Sequence, residues 1–193
     1  HDFHYRNHEL YCEGVAVSDV IDAVGTPAYI YSAKTLRDHY HKLARAFRAV
    51  KPLICFSVKA NGNLAVLRLL VREGAGLDVV SGGELFKALR AGCPPQRIVF
   101  ASVGKTAAEI AEAQHAGIWS FNVESVPELD TINVEAARLR KTARVAIRVN
   151  PDVEAHTHRH ITTGTYESKF GIDLETAEGV FRRREAWPSV RLA

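Results

Sequence analysis

The chain has 193 residues, 47 % of them hydrophobic and 24 % charged, with a net charge of +3 at pH 7. That length holds one domain with a real core, and its weak, scattered positive charge gives no footing for a nucleic-acid partner. No apolar run approaches the roughly 18 residues of a membrane span, and His1–Arg6 has no apolar signal core.

The first 50 residues read differently from the rest. Phe3–Tyr5, Glu9–Tyr11 and Val15–Val17 are expected as short strands. Ser18–Val24 reads as a helical turn capped by Ser18 and stopped by Gly25. Pro27–Tyr31 reads as a further β run, and Ala33–Val50 as a helix. From there β-rich runs alternate with segments of helical spacing. The expected strands are Leu53–Val58, Leu77–Val80, Arg97–Ala101, Ile118–Val123, Ala143–Val149 and Ser189–Ala193. The expected helices are Asn63–Glu73, Gly83–Ala91, Thr106–Ala116, Pro127–Arg140 and Leu174–Arg184, the third opening on a capping box from Thr106 to Glu109. The basic triplet Arg182–Arg184 reads as a solvated helix face. This alternation implies an α/β fold with parallel strands and helical crossovers. No G-x-G-x-x-G follows the first strand of the series, which favours a (β/α)8 barrel over a dinucleotide-binding sheet. About six strands are present, so the barrel is incomplete here. One connection, from Asn150 to Gly171, is too long for an ordinary βα loop and starts where a barrel carries its chemistry.

Three polar residues fall at strand ends. Lys59 follows the first barrel strand, where a desolvated amine could form a Schiff base and a solvated one would only decorate the rim. Asp78 lies within an apolar run and is followed by Ser81-Gly82-Gly83, which lets the backbone approach a ligand. Arg148 lies in the fifth strand's apolar run. Asp78 and Arg148 would form either a structural ion pair across the barrel floor or, with Lys59, a seat for an electrophilic, anionic cofactor. His156, His158 and His160 alternate in the long connection. With no nearby cysteine and no metal-binding spacing, a metal site is not expected. The three cysteines, Cys12, Cys55 and Cys93, are too few and too separated for a disulfide framework and suit a reducing cytoplasm.

Phe56–Asn61, with Leu64 and Leu67, resembles the pyridoxal-phosphate attachment segment of the ornithine/diaminopimelate/arginine decarboxylases. Leu77–Glu84 and Phe121–Ser125 resemble that family's second- and fourth-strand motifs, and Gly25–Tyr31 the lead-in to its barrel. Arg148–Pro151, His156–His158, Ile161–Gly164 and Ser168–Gly171 resemble the lid of the diaminopimelate branch. The resemblance implies a pyridoxal-phosphate-binding barrel over residues 33–193, with residues 1–32 as an N-terminal segment of a β-domain and the lead-in to the barrel. It implies that Lys59 holds pyridoxal 5'-phosphate, that Asp78 and Arg148 line the cofactor floor, and that His156, His158, Thr163 and Gly164 belong to a lid over an amino-acid substrate. The implied activity is decarboxylation of meso-2,6-diaminopimelate to L-lysine and carbon dioxide in a cytoplasmic homodimer. The alternatives are an ornithine- or arginine-type decarboxylase and a non-catalytic pyridoxal-phosphate-binding barrel protein. The family's later His-x-Gly-Ser, Glu-Pro-Gly-Arg and Cys-Glu-x-x-Asp elements do not occur, and there is no methionine. The chain is therefore expected to be a fragment, inactive alone.

Overall fold

A computed structural model describes residues 1–151 and 170–193. Two separate sheets organise them. The first is an antiparallel meander of β1 (Phe3–Arg6), β2 (Glu9–Cys12) and β3 (Val15–Ala16). It runs into α1 (Val17–Val24), which Gly25 ends at φ +78°. Ser18 does not cap α1. The helix starts one residue earlier, after Ala16, and the Ser18 hydroxyl donates to Glu9 instead. Residues 27–31 form no strand, because no described segment pairs with them, and Tyr29 is 91 % exposed.

α2 (Ala33–Ala46) joins the two sheets. The Ser32 side chain caps it, and a single 3-10 turn at Arg48–Val50 follows. Two carboxylates fasten the N-terminal sheet to its first turn. Asp2 accepts from the Thr35 hydroxyl at 2.7 Å and pairs with Lys34 at 3.0 Å. Glu13 accepts from the Ser32 hydroxyl and the Lys34 backbone N–H.

The second sheet has six strands, all parallel, in chain order: β4 (Cys55–Ser57), β5 (Gly76–Val79), β6 (Ile98–Ala101), β7 (Ser120–Val123), β8 (Ala143–Ile147) and β9 (Val190–Leu192). The intervening helices are α3 (Leu64–Arg72), α4 (Gly82–Arg90), α5 (Ala107–Ala116), α6 (Val126–Arg138) and α7 (Leu174–Arg182). A doubly wound sheet reverses its strand order near the middle. This one never reverses, which is the order of a barrel wall.

The two faces of this sheet differ. Leu77, Val79, Ile98, Phe100, Phe121, Val123 and Val145 point to the helices and are essentially fully buried against Leu67, Leu85, Ile110, Leu129, Ile132 and Val180. Phe100 and Phe121 stack at 6.1 Å between ring centroids. Burial of each such side chain contributes about 1.5–3 kcal/mol, so this face carries most of the fold's stability. The other face alternates with it and carries Ser57, Asp78, Asn122 and Ala146, which are small or polar. Gly76 is needed where β4, β5 and β6 crowd together, since a Cβ there would lie 2.4 Å from the Arg97 carbonyl oxygen. Side-chain oxygens of Asn63, Ser81, Thr106, Ser125 and Asp173 cap the five helices that follow strands. Each satisfies a backbone N–H that the helix cannot. Arg182–Arg184 are exposed. No helix among the described residues is long and apolar enough to cross a membrane.

Candidate active site

Parallel strands bring all their C-terminal ends to one rim, and the candidate residues gather there. β4 is shorter than its apolar run suggests. It gives way at Val58–Ala60 to a 3-10 turn, which tucks Val58 into the helix-side core and leaves Lys59 exposed at the strand end. Lys59 is therefore neither in the strand nor desolvated. Its amine makes no hydrogen bond or ion pair among the described residues, and its charge acts on Asp78.

Asp78 lies on the inner face, directly across from Ser57. Burial pushes its carboxyl above the usual carboxylate range, with the neighbouring Ser57 hydroxyl and the Lys59 charge opposing. Asp78 Oδ1, Ser57 Oγ and Glu124 Oε2 are buried without a well-formed hydrogen bond among the described residues. Buried polar atoms are costly to leave unmatched, so such a cluster marks a place that suits a polar ligand.

Arg148 does not pair with Asp78 across the floor. β8 ends at Ile147, the Arg148 N–H donates to the Val123 carbonyl, and the guanidinium pairs with Glu124 Oε1 at 3.1 Å. Asp78 sits three strands away, and Glu124, directly after the neighbouring strand, is within reach. The Arg148 guanidinium also lies 5.2 Å from the centroid of the Phe170 ring. With Ala101, Asn122 and Ala146 it lines a cavity of about 350 Å³ on the inner face.

The long fifth-strand connection leaves and returns at one point. The Ile172 N–H donates to the Arg148 carbonyl, and the Asn150 N–H donates to the Ile172 carbonyl. Gly171, at φ +91°, allows this approach, because a Cβ there would stand 2.8 Å from the Arg148 oxygen. His156, His158, Thr163 and Gly164 lie outside the described residues.

Three residues that sequence reasoning passed over, Lys105, Glu124 and Glu128, are buried at the same rim. The Lys105 amine is 0 % exposed. It donates to the carbonyls of Ser102 at 2.7 Å and Asn122 at 2.9 Å, and pairs with Glu128 Oε1. Glu128 Oε2 accepts the Glu124 N–H at 2.9 Å. A signal for this network was present in the sequence. Ser81-x-x-Glu84, Thr106-x-x-Glu109 and Ser125-x-x-Glu128 repeat one pattern after three successive strands. Only Thr106 and Glu109 make the reciprocal capping box. Glu84 and Glu128 reach one residue further back, to the Val80 and Glu124 N–H groups. The Gly82 N–H, expected to be open to a ligand, donates to Glu109 Oε1 at 2.7 Å.

Comparison with known proteins gives this rim a context. Residues 33–192 match the family described as "Pyridoxal-dependent decarboxylase, pyridoxal binding domain". The diaminopimelate decarboxylase of Pseudomonas aeruginosa is 48 % identical over 181 residues, covering 94 % of this chain and 44 % of that protein. Among solved structures, diaminopimelate decarboxylase from M. jannaschii in co-complex with L-lysine superposes with a TM-score of 0.91 at 35 % identity, covering 99 % of this chain and 46 % of that one. The Helicobacter pylori diaminopimelate decarboxylase complexed with L-lysine gives 0.87 at 39 % identity, covering 91 % and 45 %. The chain thus spans less than half the length of these relatives. A barrel-ordered sheet with an exposed lysine just after its first strand, matched by that family over 33–192, places the chain among the pyridoxal-dependent decarboxylases, as part of their pyridoxal-binding domain.

Proposed function

We propose that the full-length protein decarboxylates meso-2,6-diaminopimelate to L-lysine and carbon dioxide, using pyridoxal 5'-phosphate held at Lys59. The observation that carries this reading is the Lys59 amine, without a hydrogen bond or ion pair among the described residues and close enough to Asp78 for its charge to act there, in a sheet matched by the pyridoxal-binding domain. The relatives' names, and the L-lysine in two of the structures, support the substrate and product.

The residues present fit the cofactor on three counts. An amine that can bond covalently to an aldehyde must be available, and Lys59 is exposed and has no partner among the described residues. An anionic oxygen needs a cation on the inner face, and Arg148 lines the cavity there. Ser57, Asp78 and Glu124 offer buried polar atoms without a well-formed hydrogen bond among the described residues. When bound, pyridoxal phosphate supplies an electron sink for the pair left behind as carbon dioxide departs.

The chain's own residues do the remaining work. Lys59 would anchor the cofactor, and its exposed amine could also carry a proton at the site. Asp78, across from Ser57 on the inner face and within reach of the Lys59 charge, would give the cofactor a carboxyl to lie against. Glu124 holds Arg148 by one oxygen, so the guanidinium presents a fixed charge to the cavity. The free thiols of Cys12, Cys55 and Cys93 support a cytoplasmic setting. A homodimer belongs to the same reading and is tested by light scattering of the full-length protein.

Borohydride reduction of the full-length enzyme loaded with cofactor, followed by peptide mass spectrometry, tests the anchor. A pyridoxyl label on Lys59 is expected. A label on another lysine, or carbon dioxide release surviving Lys59→Ala, would overturn the assignment.

A further inference from the structure

We infer that Lys105 is a positioning residue for this site, setting the hold of Arg148 on the cofactor through Glu128 and Glu124; the inference rests on the function proposed above. Lys105 leaves the loop after β6 and buries its amine completely. The ammonium donates two hydrogen bonds, to Ser102 O and Asn122 O, and forms an ion pair with Glu128 Oε1. The amine also sits 5.7 Å from the centroid of Phe100, at the edge of the helix-side core.

What the buried amine does is balance charge. The Glu128 carboxylate accepts the Glu124 N–H, and both side chains are nearly buried. Arg148 is paired with Glu124 and not with Glu128. Along this path the charges alternate, Lys105 positive, Glu128 negative, Glu124 negative and Arg148 positive, and each carboxylate has its own cation. With Lys105 removed, Glu128 becomes a second buried anion beside Glu124, and Arg148 is the nearest cation in this network. Low-dielectric surroundings make that competition strong. The guanidinium would be drawn inward, away from the cavity it lines.

The test is a cycle on the full-length enzyme, read as the dissociation constant of pyridoxal phosphate from an absorbance titration and, in parallel, as turnover of meso-diaminopimelate. Lys105→Met should weaken cofactor binding about tenfold when Arg148 is present, and less than about twofold in an Arg148→Met background. Lys105→Met with Glu128→Gln removes both buried charges together. It should fold and bind cofactor within about threefold of wild type, because a neutral amide does not compete for Arg148. This double variant keeps the test decisive even where Lys105→Met alone fails to fold. Equal losses in both Arg148 backgrounds, or no recovery in the Lys105→Met/Glu128→Gln protein, would mean that Lys105 only staples its loop, and would overturn the inference. A wild-type enzyme that binds cofactor but releases no carbon dioxide from meso-diaminopimelate would overturn the proposed function alone. The affinity cycle would still decide the role of Lys105.

Discussion

Two lysines stand at the same rim of the parallel sheet and have opposite surroundings. Lys59, beyond β4, is exposed and has no hydrogen-bond partner among the described residues. Lys105, beyond β6, has a buried side chain that donates to two carbonyls and pairs with Glu128. An amine that must bond covalently has to be available. An amine that must order its neighbours has to be saturated and fixed. The difference follows from local geometry. The turn after β4 sends Val58 into the core and Lys59 out, whereas Lys105 is drawn between two strand-end carbonyls toward the Glu128 carboxylate.

The sharpest way to break this comparison is Lys59→Ala in the full-length enzyme. Turnover and the visible cofactor absorbance should be lost, while the melting temperature of the cofactor-free protein stays unchanged, because the side chain contributes no packing. A large drop in that melting temperature would make Lys59 structural. Lys105→Met should behave the other way, costing about 3–5 kcal/mol of stability by leaving Glu128 buried and unpaired. Chemical denaturation of the cofactor-free protein measures it, and a loss below about 1 kcal/mol would show the pair to be weak.

A smaller effect is expected next to Lys105. Thr106→Ala removes the α5 capping box and should cost about 1 kcal/mol in the same denaturation experiment. No change would mean that Glu109, which also holds Gly82, supports the helix end by itself. The smallest effect lies far from the rim. Hydrogen bonds from the Thr35 hydroxyl and Lys34 hold the Asp2 carboxyl below its usual range, and those from the Lys34 backbone N–H and the Ser32 hydroxyl do the same for Glu13. A carboxyl pKa depressed by folding contributes stability above its unfolded value and loses it as pH falls through the folded one. The contact between the N-terminal sheet and α2 should therefore weaken below about pH 4. Carboxyl NMR titrations should place both midpoints below those of free Asp and Glu, and ordinary midpoints would remove the effect.

Reading residues in order reveals what repeats along the chain. The helix-side core was visible because Leu77, Ile98, Phe100, Phe121 and Val145 alternate with inner-face residues over each strand, and the Leu67, Leu85 and Leu129 stripes follow helical spacing. The expected strands lie within a few residues of those observed, and the Thr106–Glu109 box formed as read. The differences arose where no local pattern decides. Pro27–Tyr31 has β-type residues, yet a strand exists only with a partner. Ser18 is a good cap, but the chain enters α1 one residue before it, and its hydroxyl found Glu9.

Within the candidate site, Lys59 and Asp78 were legible as polar residues closing apolar runs. The partner of Arg148 was not. Asp78 and Glu124 are both acidic and both lie at strand ends, and only the strand order makes one of them the neighbour. Nor does spacing separate Lys105 from an ordinary surface lysine. Its burial depends on Ser102, Asn122 and Glu128, which approach it from the loop after β6, from β7 and from α6. The sequence by itself determined the alternation of strand and helix, the helix caps and the face each apolar residue takes, because these depend on neighbours a few residues away. Tertiary structure alone decided which charges pair at the rim and which amine has no partner among the described residues, because pairing energies fall with distance in space and Arg148 and Glu124 are 24 residues apart in the chain.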